Sequence, residues 1–160
     1  MQKPNLKLLI VMLAVILFPA FLAAQESELA PEFKLKDIYG NTVSLNNYKD
    51  KQAVLLLFWT SWCPYCRKEL KLVNEKYTEL VADGTEVLAI NIGEPVDKVT
   101  NFVKSYNLTF RVLLDEDTNV AEAYELLGIP TYIIIDKKGY IRYKDYTFPA
   151  EKYKELILKK

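Results

Sequence analysis

The chain of 160 residues carries 21 basic and 21 acidic side chains, so its formal net charge is zero, and 51% of its residues are hydrophobic. This length and hydrophobic content suit a single globular domain with a well-formed core. The balanced charge, without a basic patch, excludes nucleic acid as an expected partner.

The first 24 residues have the pattern of an export signal. Lys3 and Lys7 precede an uncharged segment, residues 8–24, and a polar linker, residues 25–29, follows it. A basic start, an apolar middle and small residues before the polar linker are typical of a secretory leader. The uncharged segment also just reaches the length that spans a bilayer, so cleavage and retention as a membrane anchor both stay open. In either case we expect a domain of residues 30–160 outside the cytoplasm, in the periplasm or on the outer face of the membrane.

Alternating and apolar segments predict a mixed α/β domain after this leader. The predicted elements are a hairpin of strands 33–36 and 42–45, a strand 54–59, a helix 64–82, a strand 86–92, a helix 96–106, a strand 109–114, a helix 119–127, a hairpin of strands 132–136 and 140–146, and a helix 150–158. Strands that alternate with helices and end in a hairpin and a last helix indicate a mixed sheet covered by helices on both faces.

The two cysteines of the chain lie where the predicted strand 54–59 leads into the predicted helix 64–82. Pro64 suits the first helical position, because its φ is pre-set and it lacks an N–H that would be unpaired, so Cys63 becomes the N-cap. The Cys63 sulfur would then face unpaired N–H groups and the positive end of the helix dipole, which favour a thiolate. Cys66 lies about one turn further on and is placed to form a disulfide with Cys63, the candidate nucleophile.

Two structural roles compete with a redox role for this pair. A disulfide that encloses about four residues removes only about 2 kcal/mol of unfolded-chain entropy, so it is a poor staple. Zinc normally needs four thiolate or imidazole ligands, and a chain with two cysteines and no histidine would need a second subunit to supply them. The lack of histidine also excludes Cys-His and Ser-His-Asp catalysis, and Arg67 stands where c-type haem attachment needs a histidine. The sequence favours a reversible redox pair, and no metal or cofactor is expected.

Four segments carry a resemblance to a known family. Residues 58–66, FWTSWCPYC, are similar to a FWAxWCxxC active site, and residues 128–131, GIPT, to a cis-proline loop. Residues 30–45 match an N-terminal hairpin, and residues 91–115 an inserted strand-helix unit. Together they resemble the thioredoxin-fold thiol-disulfide oxidoreductases, most closely the extracytoplasmic TlpA/ResA-like branch, which is related to the AhpC/TSA proteins. The resemblance covers residues 30–160 and implies a thioredoxin-like fold.

The resemblance implies a partner-binding surface around the cysteines. A cis bond between Ile129 and Pro130 is expected to lie against the disulfide and to present the Ile129 backbone to an extended substrate segment. From the sequence alone, a trans bond would be favoured, since cis bonds are a minority before proline. Trp62, Pro64 and Tyr65 are expected to line the same surface, where amphipathic rings suit a transient interface.

Glu69 is a third candidate catalytic residue. It matches a glutamate that TlpA/ResA-like proteins often carry near the active site, where a carboxylate raises thiol pKa values and relays protons. The alternative is an exposed helix charge. Leu57 occupies the position of the buried aspartate of classical thioredoxins, and Lys71 the position of a helix-kinking proline, so the bend of the helix around Glu69 stays open.

The resemblance implies dithiol-disulfide exchange that reduces exported, disulfide-bearing proteins, with apocytochrome c as one such partner. A membrane thiol-disulfide electron donor would recharge the pair. One alternative is a peroxiredoxin-like peroxidase, which normally has a threonine a few residues before a single reactive cysteine. Another is a redox-inactive thiol or metal chaperone, and the copper carriers on this fold use CxxxC and a distant histidine. The spacing of Cys63 and Cys66 fits neither pattern.

Overall fold

The computed structural model describes residues 28–158, so the predicted leader and most of the predicted linker lie outside the described residues. Within this range no helix combines the length and apolar character that crossing a bilayer requires. The elements in chain order are β1 (Lys34–Asp37), β2 (Thr42–Ser44), β3 (Ala53–Trp59), α1 (Pro64–Ala82), β4 (Thr85–Ile92), α2 (Val96–Tyr106), β5 (Arg111–Asp115), α3 (Asn119–Ala123), β6 (Thr131–Ile135), β7 (Ile141–Asp145) and α4 (Tyr153–Leu158).

One mixed sheet of seven strands runs through the domain in the order β2-β1-β5-β4-β3-β6-β7. Strands β3, β4 and β5 are parallel neighbours, whereas β6, β7, β1 and β2 pair antiparallel. Because α1 and α2 connect strands that advance in the same direction across the sheet, right-handed crossovers place both helices on the same face. The predicted mixed sheet with an N-terminal hairpin is confirmed.

Strand β3 lies at the centre of the sheet, and all seven of its residues are buried. Its side chains alternate between two hydrophobic clusters, as the period of a strand requires. Leu55 and Leu57 pack in the cluster that includes residues of α1, α2 and α4. Leu56 and Phe58 pack on the opposite face, with the N-terminal hairpin and with Tyr124, the residue directly after α3. Helices therefore cover both faces. Strand β3 ends at the edge of this core, and the segment that carries the cysteines begins there.

Helix α3 is shorter than the predicted helix 119–127. It ends at Ala123 because Glu125 adopts a left-handed φ of 48°, which closes a Schellman motif in which Leu126 N–H donates to Ala121 O (3.2 Å). The side chain of Tyr124, the residue after the helix, is buried, and its hydroxyl donates a hydrogen bond to Pro31 O (2.8 Å). Residues 124–130 therefore form a loop that leads to β6.

The structure adds detail at both ends of the described residues. Helix α4 begins at Tyr153, three residues later than predicted. At the other end, Ile141 N–H donates to Glu28 O (2.8 Å), and Leu29 forms a β-bridge with Tyr140. Contacts of the domain therefore begin inside the segment that the sequence assigned to the linker.

Candidate active site

The two cysteines occupy the first turn of α1, as predicted. Cys63 is the N-cap of the helix, with extended backbone angles, and Pro64 is the first helical residue. Cys66 N–H donates a hydrogen bond to Cys63 Sγ (3.1 Å), and the two residues form a disulfide with their Cα atoms 5.3 Å apart. The Cys63 sulfur therefore lies at the positive end of the helix dipole. It accepts a hydrogen bond from one of the N–H groups that have no partner within the helix.

The two sulfurs differ in their access to solvent. Cys63 keeps 4% of its surface exposed, whereas Cys66 is completely buried. Trp62 and Tyr65, on either side of Cys63, are 64% and 70% exposed, and Pro64 between them is also exposed. A partner can therefore reach the disulfide only at Cys63, across a surface of exposed rings.

The proline loop lies against the disulfide. The Ile129–Pro130 bond is cis, as the resemblance implied and as the sequence alone would not have favoured. Ile129 O is 4.0 Å from Cys63 Sγ, Ile129 is half-buried, and Pro130 is buried. The structure thus brings the GIPT segment and the CPYC segment together, although 66 residues separate Ile129 from Cys63.

Glu69 lies within α1 and is half-buried rather than fully exposed. Its Oε2 accepts a hydrogen bond from the hydroxyl of Tyr132 (2.8 Å), a residue of β6 that is completely buried. Burial and the neighbouring Glu69 carboxylate raise the pKa of Tyr132, so the phenol stays protonated and remains a donor. Leu57 lies directly opposite Tyr132 in the sheet. Lys71 is exposed on a helix that continues without a break to Ala82.

A second carboxylate, that of Glu94, is hydrogen-bonded to the loop that precedes the cysteines. It is 5% exposed, and its oxygens accept hydrogen bonds from Ser61 N–H (2.6 Å), Ser61 Oγ (2.7 Å) and Asn91 Nδ2 (2.8 Å). Lys98 Nζ lies 2.7 Å from Glu94 Oε1. On the other side of Ser61, its carbonyl accepts two hydrogen bonds from the Arg67 guanidinium (3.2 and 2.9 Å). Every polar group of Ser61, two residues before Cys63, is therefore held by a charged side chain.

The hydrogen bonds around Glu94 keep it ionised. Burial alone would raise its pKa, but the bonds from Asn91, Lys98 and Ser61 outweigh burial and lower the pKa to about 2. A buried carboxylate with this many donors is a strong structural anchor. In the sequence, Glu94 lies within the predicted inserted unit, and its only signal is an acidic residue two positions after a buried strand.

Within residues 28–158, no group of three or more histidine, cysteine, aspartate or glutamate side chains is arranged to hold a metal ion. The reactive groups that the structure brings together here are the two sulfurs of the disulfide and the hydrogen-bonded pair of the Glu69 carboxylate and the Tyr132 hydroxyl.

Comparisons with known proteins agree with this geometry. The model of the AhpC/TSA family matches residues 27–144. The chain is 37% identical over 138 residues to the thiol-disulfide oxidoreductase ResA of Bacillus subtilis (strain 168). The alignment covers 84% of this chain and 76% of that protein. It is 38% identical over 113 residues to ResA of Geobacillus kaustophilus (strain HTA426), in an alignment that covers 71% of this chain and 64% of that protein. The chain thus spans roughly two thirds to three quarters of these relatives.

Solved structures extend the likeness to the fold. A putative thiol:disulfide interchange protein DsbE from Chlorobium tepidum aligns with a TM-score of 0.73 and 27% identity over 85% of this chain and 97% of that chain. StoA from Bacillus subtilis aligns with a TM-score of 0.67 and 32% identity over 80% of this chain and 97% of that chain.

The sheet order, together with a disulfide at a helix start beside a cis-proline loop, defines a thiol-disulfide oxidoreductase of the thioredoxin fold. The chain belongs to the AhpC/TSA family. Its ResA relatives are named for the same chemistry, so the protein is an enzyme of the protein-disulfide oxidoreductase class.

Proposed function

We propose that this protein reduces disulfide bonds of exported proteins outside the cytoplasm, by exchange through Cys63 and Cys66. The observation that carries the proposal is the unequal exposure of the two sulfurs. Cys63 is the one that solvent reaches, and Cys66 N–H donates a hydrogen bond to its sulfur. The same N–H and the helix dipole stabilise a Cys63 thiolate, which is the form that attacks a disulfide.

The exchange has two steps. The Cys63 thiolate attacks one sulfur of the partner's disulfide, which forms a mixed disulfide and releases the other partner sulfur as a thiolate. The Cys66 thiol then loses its proton and attacks Cys63 Sγ, which closes the Cys63–Cys66 bond and releases the second partner sulfur. Two electrons pass from the dithiol to the partner, whose sulfurs take up two protons. A membrane thiol-disulfide electron donor reduces the pair again.

Glu69 accepts the Cys66 proton in the second step. It follows Cys66 by one helical turn, and its carboxylate is fixed by the hydroxyl of Tyr132. Cys66, Leu57 and Tyr132 belong to one buried cluster, so a thiolate at Cys66 would form in apolar surroundings and a nearby base lowers the barrier to it. With Leu57 at the position of the thioredoxin aspartate, Glu69 takes over that aspartate's role.

The partner binds across the loop surface around Cys63. Trp62, Pro64 and Tyr65 provide exposed contact area on one side of the sulfur. Ile129, with Pro130 behind it, offers its backbone on the other side, 4.0 Å from Cys63 Sγ. An extended partner segment can pair with this backbone while its cysteine meets Cys63.

The proposed partners are exported proteins with disulfides. The TlpA/ResA-like resemblance suggests apocytochrome c as the physiological partner, whose cysteines are reduced to thiols before haem attachment. The similarity to two proteins named ResA supports this assignment. The leader pattern of residues 1–24 supports a place in the periplasm or on the outer face of the membrane, reached by export with or without retention of the leader as an anchor.

Two measurements test this function. In an insulin-reduction assay with dithiothreitol, the wild-type protein should accelerate the reaction and Cys63→Ser should not; equal activity of that variant would rule out exchange at Cys63. The reduction potential of the Cys63–Cys66 couple then tests the direction. We expect a value of about −270 mV, as in thioredoxin, whereas a value of about −120 mV would indicate an oxidant.

A further inference from the structure

The turn between β3 and α1 is held at each of its peptide groups. Cys63 N–H donates to Thr60 O (3.4 Å), which closes a four-residue turn that includes Ser61. The peptide group before Ser61 is held through its N–H, which donates to Glu94 Oε2 (2.6 Å). The peptide group after Ser61 is held through its carbonyl oxygen, which accepts two hydrogen bonds from Arg67 (3.2 and 2.9 Å). All three peptide groups between Thr60 and Cys63 are therefore fixed by hydrogen bonds, two of them by charged side chains from outside the turn.

These two charged side chains belong to different parts of the fold. Glu94 lies between β4 and α2, where Asn91 Nδ2 (2.8 Å) and Lys98 Nζ (2.7 Å) hold its carboxylate. Arg67 lies on α1, and its own N–H donates to Cys63 O (3.3 Å). The turn is therefore connected on one side to the inserted unit and on the other side to the helix that carries both cysteines.

The turn determines where the Cys63 sulfur lies relative to α1. Cys63 is the last residue of the turn and also the N-cap of the helix, and its sulfur accepts the hydrogen bond from Cys66 N–H (3.1 Å). Hydrogen bonds weaken steeply when their geometry is lost, and the effect of the helix dipole falls off within the first turn. A displaced turn would therefore move the sulfur away from both groups that stabilise its thiolate.

We propose that Glu94 and Arg67 are positioning residues of the redox reaction, which fix the turn 60–63 through Ser61 and thereby hold the Cys63 sulfur against the first N–H groups of α1. The proposal rests on the proposed function, in which the Cys63 thiolate is the attacking group. It gives the inserted unit a role in the reaction, because Glu94 connects that unit to the reactive cysteine without touching the sulfur.

The opposite charges of the two residues separate a positioning role from a direct electrostatic role. Removal of the negative charge of Glu94 would by itself favour a thiolate at Cys63, and removal of the positive charge of Arg67 would disfavour it. Loss of the contacts to Ser61 disfavours the thiolate in both cases. Positioning therefore predicts that replacement of either residue changes Cys63 in the same direction.

The experiment follows the alkylation of Cys63 by iodoacetamide as a function of pH, in a Cys66→Ser background that leaves one thiol in the chain. The midpoint of this titration is the pKa of Cys63. We expect Glu94→Gln and Arg67→Ala both to move the midpoint upward by about 0.5 to 1 on the pH scale, so that the thiolate fraction below the midpoint falls about threefold to tenfold. A downward shift in Glu94→Gln, or no shift in either variant, would overturn the proposal.

Asp136→Asn is the matched control for a loss of stability. Asp136 is also a buried carboxylate (3% exposed), and it accepts hydrogen bonds from two backbone N–H groups and from the guanidinium of Arg142. It follows Ile135, which pairs with Val54 at the start of β3, whereas the cysteines follow the other end of that strand, about 17 Å away. Asp136→Asn should be less stable but keep the midpoint. An upward shift in this variant as large as in Glu94→Gln would show general loosening and contradict positioning.

Arg67→Gln provides a rescue that also serves if Glu94→Gln is too unstable to be measured. Glutamine has no charge but keeps a side-chain N–H donor for Ser61 O. The midpoint of Arg67→Gln should therefore lie closer to that of the unchanged residue than the midpoint of Arg67→Ala does. Equal midpoints for these two variants would show that only the charge of Arg67 matters.

The reduction of hydroxyethyl disulfide by pre-reduced proteins that keep both cysteines separates the two possible failures. Below the midpoint, we expect Glu94→Gln and Arg67→Ala to react about twofold to threefold more slowly than the wild type, because a less acidic thiol gives less thiolate but a better nucleophile. If the wild type does not reduce this compound, the proposed function itself is wrong. If the wild type and both variants reduce it at equal rates, only the positioning role is wrong.

Discussion

The hydroxyl of Tyr132 donates a 2.8 Å hydrogen bond to Oε2 of Glu69, which connects the strand after the proline loop to the helix that carries both cysteines. Tyr132 is completely buried, so its hydroxyl holds the carboxylate on the core side of α1. Leu57, opposite Tyr132 on β3, contributes no second acid at this place. In the proposed mechanism, proton transfer at Cys66 therefore depends on Glu69 alone.

Replacing Glu69 tests this assignment. In Glu69→Gln, we expect the second step of exchange to slow by up to about 10²-fold, because a general base in this position contributes that much, and the slowing should diminish as pH rises. The measurement is single-turnover release of the reduced partner from the mixed disulfide, followed over a range of pH. Glu75→Gln, on an exposed position of the same helix, is the matched control and should behave like the wild type.

Tyr132→Phe tests the hydrogen bond that positions Glu69 separately from the charge of its carboxylate. It leaves the carboxylate of Glu69 in place but removes its donor, so we expect a smaller slowing than in Glu69→Gln and a loss of stability of about 1 kcal/mol. Chemical denaturation and the same single-turnover assay measure both effects. If Tyr132→Phe slowed release as much as Glu69→Gln, the hydroxyl itself rather than the carboxylate would carry the proton.

The cysteines and their helix could be predicted from the sequence because the determinants are local. Pro64 at the first helical position and Cys63 at the N-cap follow from backbone preferences within one turn. The partners of Glu69 and Glu94 could not be predicted in this way. Tyr132 is 63 residues from Glu69, and Ser61 is 33 residues from Glu94, so only the sheet topology brings them together.

The end of helix α3 could not be predicted either, because it also depends on a contact that is distant in the sequence. The composition of residues 119–127 suits a helix throughout, and the prediction extended to Leu127. Burial of the Tyr124 side chain and its bond to Pro31 O determine where the helix ends. Pro31 is 93 residues away. Leu127, beyond the end of the helix, is exposed.

Glu94 should give the protein a stability that depends on pH. Its pKa is lowered from 4.5 to about 2 in the folded state, so its contribution is complete above about pH 5 and is lost as pH falls through about 2. The difference corresponds to about 3 kcal/mol. Chemical denaturation of the wild type and of Glu94→Gln between pH 7 and pH 3 measures it. We expect the variant to be less stable at pH 7 and the difference to shrink toward pH 3.

Asp97→Asn is the matched control for this experiment, since Asp97 lies three residues after Glu94, in the first turn of α2, and is exposed. It should keep the pH dependence of the wild type. A Glu94→Gln protein whose stability falls with acid as steeply as that of the wild type would contradict the role of this carboxylate.

Arg67 should matter for stability although it is an exposed residue. Its guanidinium donates two hydrogen bonds to the carbonyl of Ser61, which is 7% exposed. In Arg67→Ala, this carbonyl loses both donors, so we expect the free energy of unfolding to fall by about 1–3 kcal/mol. Thermal unfolding followed by circular dichroism measures the change, with Lys71→Ala on the same helix as the control. Equal melting temperatures for the two variants would show that Ser61 needs no such support.

The most direct test of exchange at Cys63 is to trap its intermediate in cells. With Cys66 replaced by serine, the second step cannot occur, and we expect mixed disulfides with exported proteins that mass spectrometry locates on Cys63 and that reductant dissolves. Cys63→Ser should trap none, because Cys66 is completely buried. Recovery of no mixed disulfide from Cys66→Ser, or of equal amounts from both variants, would contradict the account.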